Sequence, residues 1–188
     1  MRGFNTLRRG SAPSHLGRLR LRTAAKPLRR QPAPPALIYS GREVKRSEAL
    51  QPLSRDHHRG LFVAMGLKRA TRETAPEARQ AFLEFWRREG SKHFQIEEEL
   101  VLPAYARYRS AEEEDVVRVL TDHVDLRRRG ADLEEEEAPA VEALHELGER
   151  LESHIRHEER VLFPLIENVL PEEDLIELAA KVERAEKG

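Results

Sequence analysis

Two stretches of the chain share one plan: HFQIEEELVLP from His93 to Pro103, and HIRHEERVLFP from His154 to Pro164. In each stretch a glutamate follows the histidine by four places and a proline follows it by ten. Positions i and i+4 of a helix lie on one face, one turn apart, so each stretch directs an imidazole and a carboxylate to one point. The recurrence indicates an internal repeat, and the paired side chains suit a metal ion.

Both stretches lie within segments that have the periodicity of long helices. The sequence Thr74–Glu77 predicts a capped helix start with proline in the first turn, and apolar residues continue that helix from Phe82 to Leu102. Gly90 weakens its middle and predicts a kink. Pro139 predicts the start of the helix that carries the second stretch.

Two further helices are predicted, and each carries an Asp-His pair on its apolar stripe. The first starts within residues 47–54 and contains Asp56-His57, and the third starts at a capping box, Ser110–Glu113, and contains Asp122-His123. Four long helices with short connections predict an all-α, up-down-up-down four-helix bundle. Sites in such a bundle are built from side chains that face inward.

The predicted domain organisation has three parts. Residues 1–46 form a basic leader, residues 47–170 form the bundle, and residues 171–188 form a short amphipathic helix packed on it. Residues 1–42 contain ten Lys or Arg and no acidic residue, with many prolines, which favours a disordered segment. The alternatives are a targeting peptide, a basic arm for nucleic acid, or a start site placed too far upstream.

Composition excludes several classes of function. The chain has no cysteine, so disulfides, thiolate metal sites and cysteine nucleophiles are excluded. The longest apolar run, residues 61–67, is too short to cross a bilayer, and we expect a soluble, cytoplasmic protein without membrane association. A phosphate-binding glycine loop, a nucleophile elbow and the H-E-x-x-H zinc motif are all absent from the sequence.

The candidate metal ligands are one histidine from each predicted helix and the two repeated glutamates. A lone histidine on an apolar face is more often structural, so the prediction depends on the whole set. The six residues are His57, His93, Glu97, His123, His154 and Glu158.

Three other histidines need separate interpretations. His58 could replace His57, but the Asp-His pattern and the apolar residues one turn away on either side favour His57. His157 lies one turn beyond His154 and is a candidate extra ligand or outer partner, or else a residue at the rim. His145 is more than two turns from His154 and is predicted to be structural.

At these residues the chain resembles the hemerythrin-like proteins of the HHE cation-binding family. The resemblance covers about residues 53–168 and is carried by four motifs: DHHRGL from 56, HFQIEEELVLP from 93, DHVDL from 122 and HIRHEERVLFP from 154. It implies a four-helix bundle around a non-haem di-iron centre, oxo- or carboxylate-bridged, with the six residues above as ligands. The implied ligands of the iron are small oxidants such as oxygen, peroxide or nitric oxide.

One position departs from the pattern of the oxygen-carrying hemerythrins. Those proteins have a second histidine four residues after the one in the third helix, and here that position is Arg127. We therefore expect oxidation of the centre rather than reversible oxygen carriage, and a role in sensing, storing or scavenging oxygen, peroxide, nitric oxide or iron. The alternatives are a di-iron oxidase or peroxidase, and a helical interaction module with a structural metal. No nucleic acid is expected as a partner, and the sequence does not identify a protein partner.

Overall fold

The computed structural model describes residues 46–188, which contain five helices and no strand. Helix α1 spans Gln51–Lys68, α2 spans residues 75–106, α3 spans Glu114–Glu135, α4 spans residues 141–169, and α5 spans Glu172–Lys187. Two of these helices change pitch along their length. Helix α2 is π-helical over Trp86–Gly90 and Glu97–Val101, and α4 is π-helical over Glu158–Leu162.

The apolar core of the bundle is divided into two clusters. Cluster I includes Leu53 of α1, Val101 of α2, Val119 of α3 and Leu162 of α4. Cluster II includes Ala64, Phe82, Leu126 and Leu144 of the same four helices. The chain runs from cluster I to cluster II in α1 and α3 and in the opposite direction in α2 and α4, which confirms the predicted up-down-up-down bundle.

Helix α5 covers one end of this bundle. Its two buried apolar residues, Leu178 and Val182, both belong to cluster I. The Tyr108 hydroxyl, close to the end of α2, donates a hydrogen bond to Asp174 near the start of α5. The Lys92 ammonium group of α2 donates to the Glu186 carbonyl oxygen at the other end of α5.

A layer of buried polar side chains separates the two clusters. Along α1, Asp56 and His57 follow Leu53 of cluster I and precede Ala64 of cluster II. The other three long helices show the same order of apolar, polar and apolar residues. The complete layer, called the polar layer below, consists of Asp56, His57, His93, Glu97, Asp122, His123, His154, His157 and Glu158.

Two of the three π-helical turns begin at the repeated glutamates. The N–H of Leu102 donates to the carbonyl oxygen of Glu97, and that of Phe163 donates to the carbonyl oxygen of Glu158, five residues back in each case. The next residue is a proline in both helices, and proline has no N–H for the regular bond to the carbonyl four residues back. In both motifs the regular ladder is therefore interrupted twice, by the shifted bond at the glutamate carbonyl and by the missing N–H of the proline.

The predicted helix starts are partly correct. Helix α2 begins after Thr74 as predicted, although the threonine side chain makes no hydrogen bond to its own helix. The start predicted at Ser110 is wrong, since α3 begins four residues later at Glu114. The Glu113 carboxylate, which the predicted capping box needs, instead accepts a hydrogen bond from the Tyr105 hydroxyl at 2.6 Å.

The basic leader predicted for residues 1–46 lies outside the described residues, except for Arg46. The Arg46 guanidinium group contacts Glu159 at 2.6 Å and Glu167 at 2.9 Å, both on α4. Within residues 46–188, no helix is both long enough and apolar enough to cross a membrane.

Candidate metal centre

The structure brings all six predicted ligand residues together in the polar layer. They form two groups whose potential ligand atoms lie within 4.8 Å of one another. His57 and His93 belong to the first group and His123 and His154 to the second, while Glu97 and Glu158 belong to both. The imidazole rings lie as two pairs, with centroid separations of 4.7 Å in the first group and 4.9 Å in the second.

The Nε2 atoms of the four histidines converge on the two shared carboxylates. The separations are 3.0 Å from His57 to Glu158, 3.3 Å from His93 to Glu97, 3.2 Å from His123 to Glu97 and 3.2 Å from His154 to Glu158. Two ligand atoms at right angles, each about 2.1 Å from one ion, are about 3 Å apart. The observed spacing therefore fits atoms that share an ion.

None of these converging atoms has a hydrogen-bond partner among the described residues. The set comprises the four Nε2 atoms and all four oxygens of Glu97 and Glu158, eight buried atoms in total. Buried polar atoms without partners are rare because each one carries a desolvation cost. Here the eight atoms form two sets of two nitrogens and two oxygens, which is a donor set suited to a pair of first-row divalent ions.

The four histidines and two glutamates influence one another's protonation. Burial and the neighbouring Glu97 raise the pKa of Glu158, but the surrounding histidines lower it further, to about 2. Burial lowers the pKa of His123, but Glu158 and Glu97 raise it to about 9. In the metal-free protein at neutral pH, the Glu158 carboxylate is therefore ionised and the His123 imidazole is protonated.

The other side of each imidazole faces a second carboxylate. The Nδ1 atom lies 2.7 Å from Glu159 in His57, 3.3 Å from Asp56 in His93 and 2.8 Å from Glu98 in His123. The Nδ1 atom of His154 lies 3.7 Å from Asp122, beyond hydrogen-bond distance. Because an ionised carboxylate only accepts, Nδ1 carries the proton in the three bonded histidines, and Nε2 is left for a metal.

Sequence reasoning missed the role of these four residues, which are called the outer carboxylates below: Asp56, Glu98, Asp122 and Glu159. In the sequence the two aspartates only mark the inward face of their helices. In the structure each one faces a histidine of a neighbouring helix rather than the histidine beside it in sequence. The sequence does contain a signal for Glu98 and Glu159, because a second glutamate follows the repeated one in both motifs. The first glutamate belongs to both ligand groups, and the second contacts a histidine of a neighbouring helix.

The choice between His57 and His58 follows from their positions on α1. His57 is buried and belongs to the first ligand group, whereas His58 is exposed. The structure therefore places the preferred residue of the two in the polar layer.

The two remaining histidines of the bundle stand apart from the ligand groups. His157 is buried, but its Nε2 atom faces Asp115 at 3.2 Å, and it belongs to neither group. Burial, together with the nearby Arg118, lowers its pKa. The Nε2 atom of His145 lies 2.8 Å from the Ala70 carbonyl oxygen, as expected for a structural histidine.

A small cavity adjoins the polar layer. Its volume is about 10 Å³, which is space for about one water molecule. Its walls are mainly apolar and aromatic and include three of the candidate ligands. The lining residues are Asp56, His57, Phe85, Trp86, Gly90, His93, Phe94, Leu151, His154 and Ile155.

Arg127 does not enter the polar layer. Its guanidinium group makes two contacts to Glu98, at 2.6 and 3.1 Å, and lies over the ring of Phe94. That ring stacks on His123 with a centroid separation of 3.8 Å. The small cavity therefore lies on the side of His57, His93 and His154, while an aromatic ring covers His123.

Comparison with known proteins gives one result. Residues 52–166 match the family described as the hemerythrin HHE cation-binding domain. No curated protein and no solved structure was found to match the chain. The matched segment covers more than half of the chain and contains all six residues of the two ligand groups. The chain therefore belongs to the hemerythrin HHE cation-binding family.

Proposed function

We propose that this protein holds a non-haem di-iron centre and uses it to bind or respond to a small oxidant. The observation that carries the proposal is the set of eight buried atoms that have no hydrogen-bond partner among residues 46–188, arranged as two groups that share two carboxylates. Each group supplies four donor atoms. Two positions of an octahedral ion then remain for water or a small ligand.

The proposed ligand class follows from the small cavity. A space of about 10 Å³ holds a group of about the size of one water molecule and excludes organic substrates. Apart from Asp56 and the three candidate ligand histidines, the lining is apolar or aromatic and does not solvate an ionic ligand. These properties favour neutral species such as oxygen, nitric oxide or hydrogen peroxide.

Metal analysis tests the centre itself. Protein that is loaded with ferrous ion in the absence of oxygen should retain two ions per chain. The variants Glu97→Ala and Glu158→Ala should each lose most of both ions, because each glutamate is proposed to contact both. His145→Ala is the matched control, since this histidine bonds only to a backbone carbonyl among its described contacts. Equal metal content in all four proteins would refute the proposal, and retention of two zinc ions in place of iron would refute the assignment of the metal.

The response to oxidants separates the possible roles. Exposure of the reduced, iron-loaded protein to air or peroxide should change its near-ultraviolet absorption, and removal of oxygen should not reverse the change. Sustained consumption of peroxide would instead support an enzyme. Unchanged folding and partner binding without iron, together with no spectral response, would support an interaction module. Reversible oxygen binding over many cycles would identify an oxygen carrier.

A further inference from the structure

Each outer carboxylate is itself paired with an arginine. Glu159 contacts Arg46 at 2.6 Å, Asp56 contacts Arg59 at 2.6 Å, Glu98 contacts Arg127 at 2.6 Å and Asp122 contacts Arg150 at 2.7 Å. The four arginines are called the arginine ring below. The same sequence of groups, imidazole, carboxylate and guanidinium, therefore leads outward from all four candidate ligand histidines.

The pattern is more regular than surface ion pairing requires. The arginines come from α1, α3, α4 and the segment before α1, yet each one meets the carboxylate that faces a different ligand histidine. Two of the carboxylates, Asp56 and Asp122, are buried, so their ionised form needs a nearby positive charge. The arginine ring supplies one such charge for each.

The charge of the outer carboxylates matters for any ion in the polar layer. A carboxylate that accepts the Nδ1 proton makes the imidazole a stronger electron donor, and this stabilises a more highly charged metal. A guanidinium group bound to the same carboxylate reduces this increase in electron donation by the imidazole. It also adds positive charge near the ions. Each guanidinium group offsets charge on one outer carboxylate, although Arg46, Arg59 and Arg150 each contact a further carboxylate, in Glu167, Glu89 and Asp125 respectively.

We propose that the arginine ring tunes the centre towards its reduced, divalent state by neutralising the outer carboxylates. This inference rests on the proposed metal centre and assigns to it residues that touch neither the metal nor its ligand. It also gives Arg127 a role that does not depend on the histidine found there in oxygen carriers. Arg127 is a positioning and tuning residue, because it acts on His123 through Glu98.

Arg127 offers the clearest test, because both of its described ion-pair contacts go to one outer carboxylate. The variant Arg127→Gln removes the charge, and Arg127→Lys keeps the charge but loses the two-pronged contact. Arg128→Gln is the matched control, since Arg128 is the next residue of α3 and pairs with Asp125 and Asp132 rather than with an outer carboxylate.

The first measurement is a mediated redox titration of each variant. The ratio of oxidised to reduced iron in the variant is read at the midpoint potential of the unmodified protein, where that protein has a ratio of one by definition. This ratio should rise about tenfold in Arg127→Gln, as expected when one unit charge is lost roughly 10 Å from the ions at an effective dielectric constant of about 20. It should stay near one in Arg127→Lys, and it should rise much less in Arg128→Gln, because the more exposed Arg128 is better screened by solvent and does not contact an outer carboxylate. An unchanged ratio in Arg127→Gln, or an equal rise in Arg127→Lys, would overturn the proposal.

The second measurement is the affinity of the same proteins for zinc, which undergoes no redox change. Loss of a nearby positive charge should leave zinc binding by Arg127→Gln as tight as in the unmodified protein, or tighter. A marked weakening would show that the arginine only holds His123 in place. Failure of the unmodified protein to bind two ions would refute the metal centre itself, whereas normal binding with no shift in the redox ratio would refute only the role of the arginine ring.

Discussion

His123 illustrates how a single buried side chain can be prepared for a metal. Its Nδ1 atom is held by Glu98 at 2.8 Å, and its Nε2 atom faces Glu97 at 3.2 Å without forming a hydrogen bond. Burial opposes the charged form, but the carboxylates of Glu158 and Glu97 raise the pKa to about 9. At neutral pH an incoming ion must therefore displace a proton from Nε2.

This leads to a prediction about pH. Because the pKa of His123 is raised from 6.5, its protonated form stabilises the metal-free protein below pH 6.5, and that contribution is lost as the pH rises through about 9. Metal affinity should change in the opposite sense and rise with pH until about 9. Calorimetric titrations at pH 7 in buffers with different ionisation enthalpies should show proton release on binding. Identical heats in all buffers would contradict this.

The adjacent histidines of α1 provide a second prediction. The substitution His57→Ala removes a buried member of the first ligand group and should weaken metal binding by more than the roughly 10- to 100-fold typical of an outer partner. The substitution His58→Ala changes an exposed residue and should leave the affinity unchanged. Equilibrium dialysis with zinc measures both affinities. A larger loss in the His58 variant would reverse the assignment.

The grouping of the six candidate ligands could be predicted because the repeated motif marks four of them and the Asp-His pairs mark the other two. The outer carboxylates were not predictable in the same way, since Asp56 serves His93 and Asp122 faces His154 across helix boundaries. Their roles depend on how neighbouring helices are rotated about their axes, and the spacing of residues in one segment does not contain that information.

At the scale of the helices, apolar periodicity predicted the elements better than their internal geometry. The weak point expected at Gly90 is a π-helical turn, and a Cβ atom there would lie 2.8 Å from the Trp86 ring. The π-helical turns at Glu97 and Glu158 were not predicted, although these glutamates and the prolines that follow the turns are part of the repeated motif. Residue spacing reveals the repeat, whereas the shifted hydrogen bonds depend on which backbone groups remain available.

The contact between α1 and α4 supports a prediction about two glycines. A Cβ atom on Gly148 would lie 2.7 Å from the Ala64 carbonyl oxygen and 2.9 Å from the Leu67 side chain, so Gly148→Ala should destabilise the fold by about 1–3 kcal/mol. A Cβ atom on Gly66 would have open space around it, with no described neighbour within 4 Å, so Gly66→Ala should stabilise the fold by about 0.5–1 kcal/mol. Urea denaturation measures both changes. Equal effects of the two substitutions would contradict the close packing at Gly148.

For the whole molecule, four periodic stripes and short connections were enough to predict the bundle. They did not predict that the apolar core is divided in two by the polar layer. In the sequence the apolar stripes are interrupted by histidines and, in α2 and α4, also by glutamates, and only the alignment of the four helices puts these interruptions at one level. The polar layer replaces apolar contacts at the centre of the bundle with charged groups, and a bound ion would link the two halves of the core.

The last prediction concerns this link between metal and fold. An ion that binds only the folded protein adds about 2.7 kcal/mol of stability at 100 times its dissociation constant. A domain of this size gains about 2–4 °C in melting temperature per kcal/mol, so saturation with a divalent ion should raise the melting temperature by roughly 5–10 °C. The increment should disappear in Glu158→Ala.

The increment in melting temperature should persist when residues 1–42 are deleted, because the contacts described for the polar layer all lie within residues 46–188. Calorimetric melting of the full and shortened chains, each with metal and with chelator, measures the increment. A shortened chain that folds but no longer responds to metal would show that the basic N-terminal segment contributes to the site.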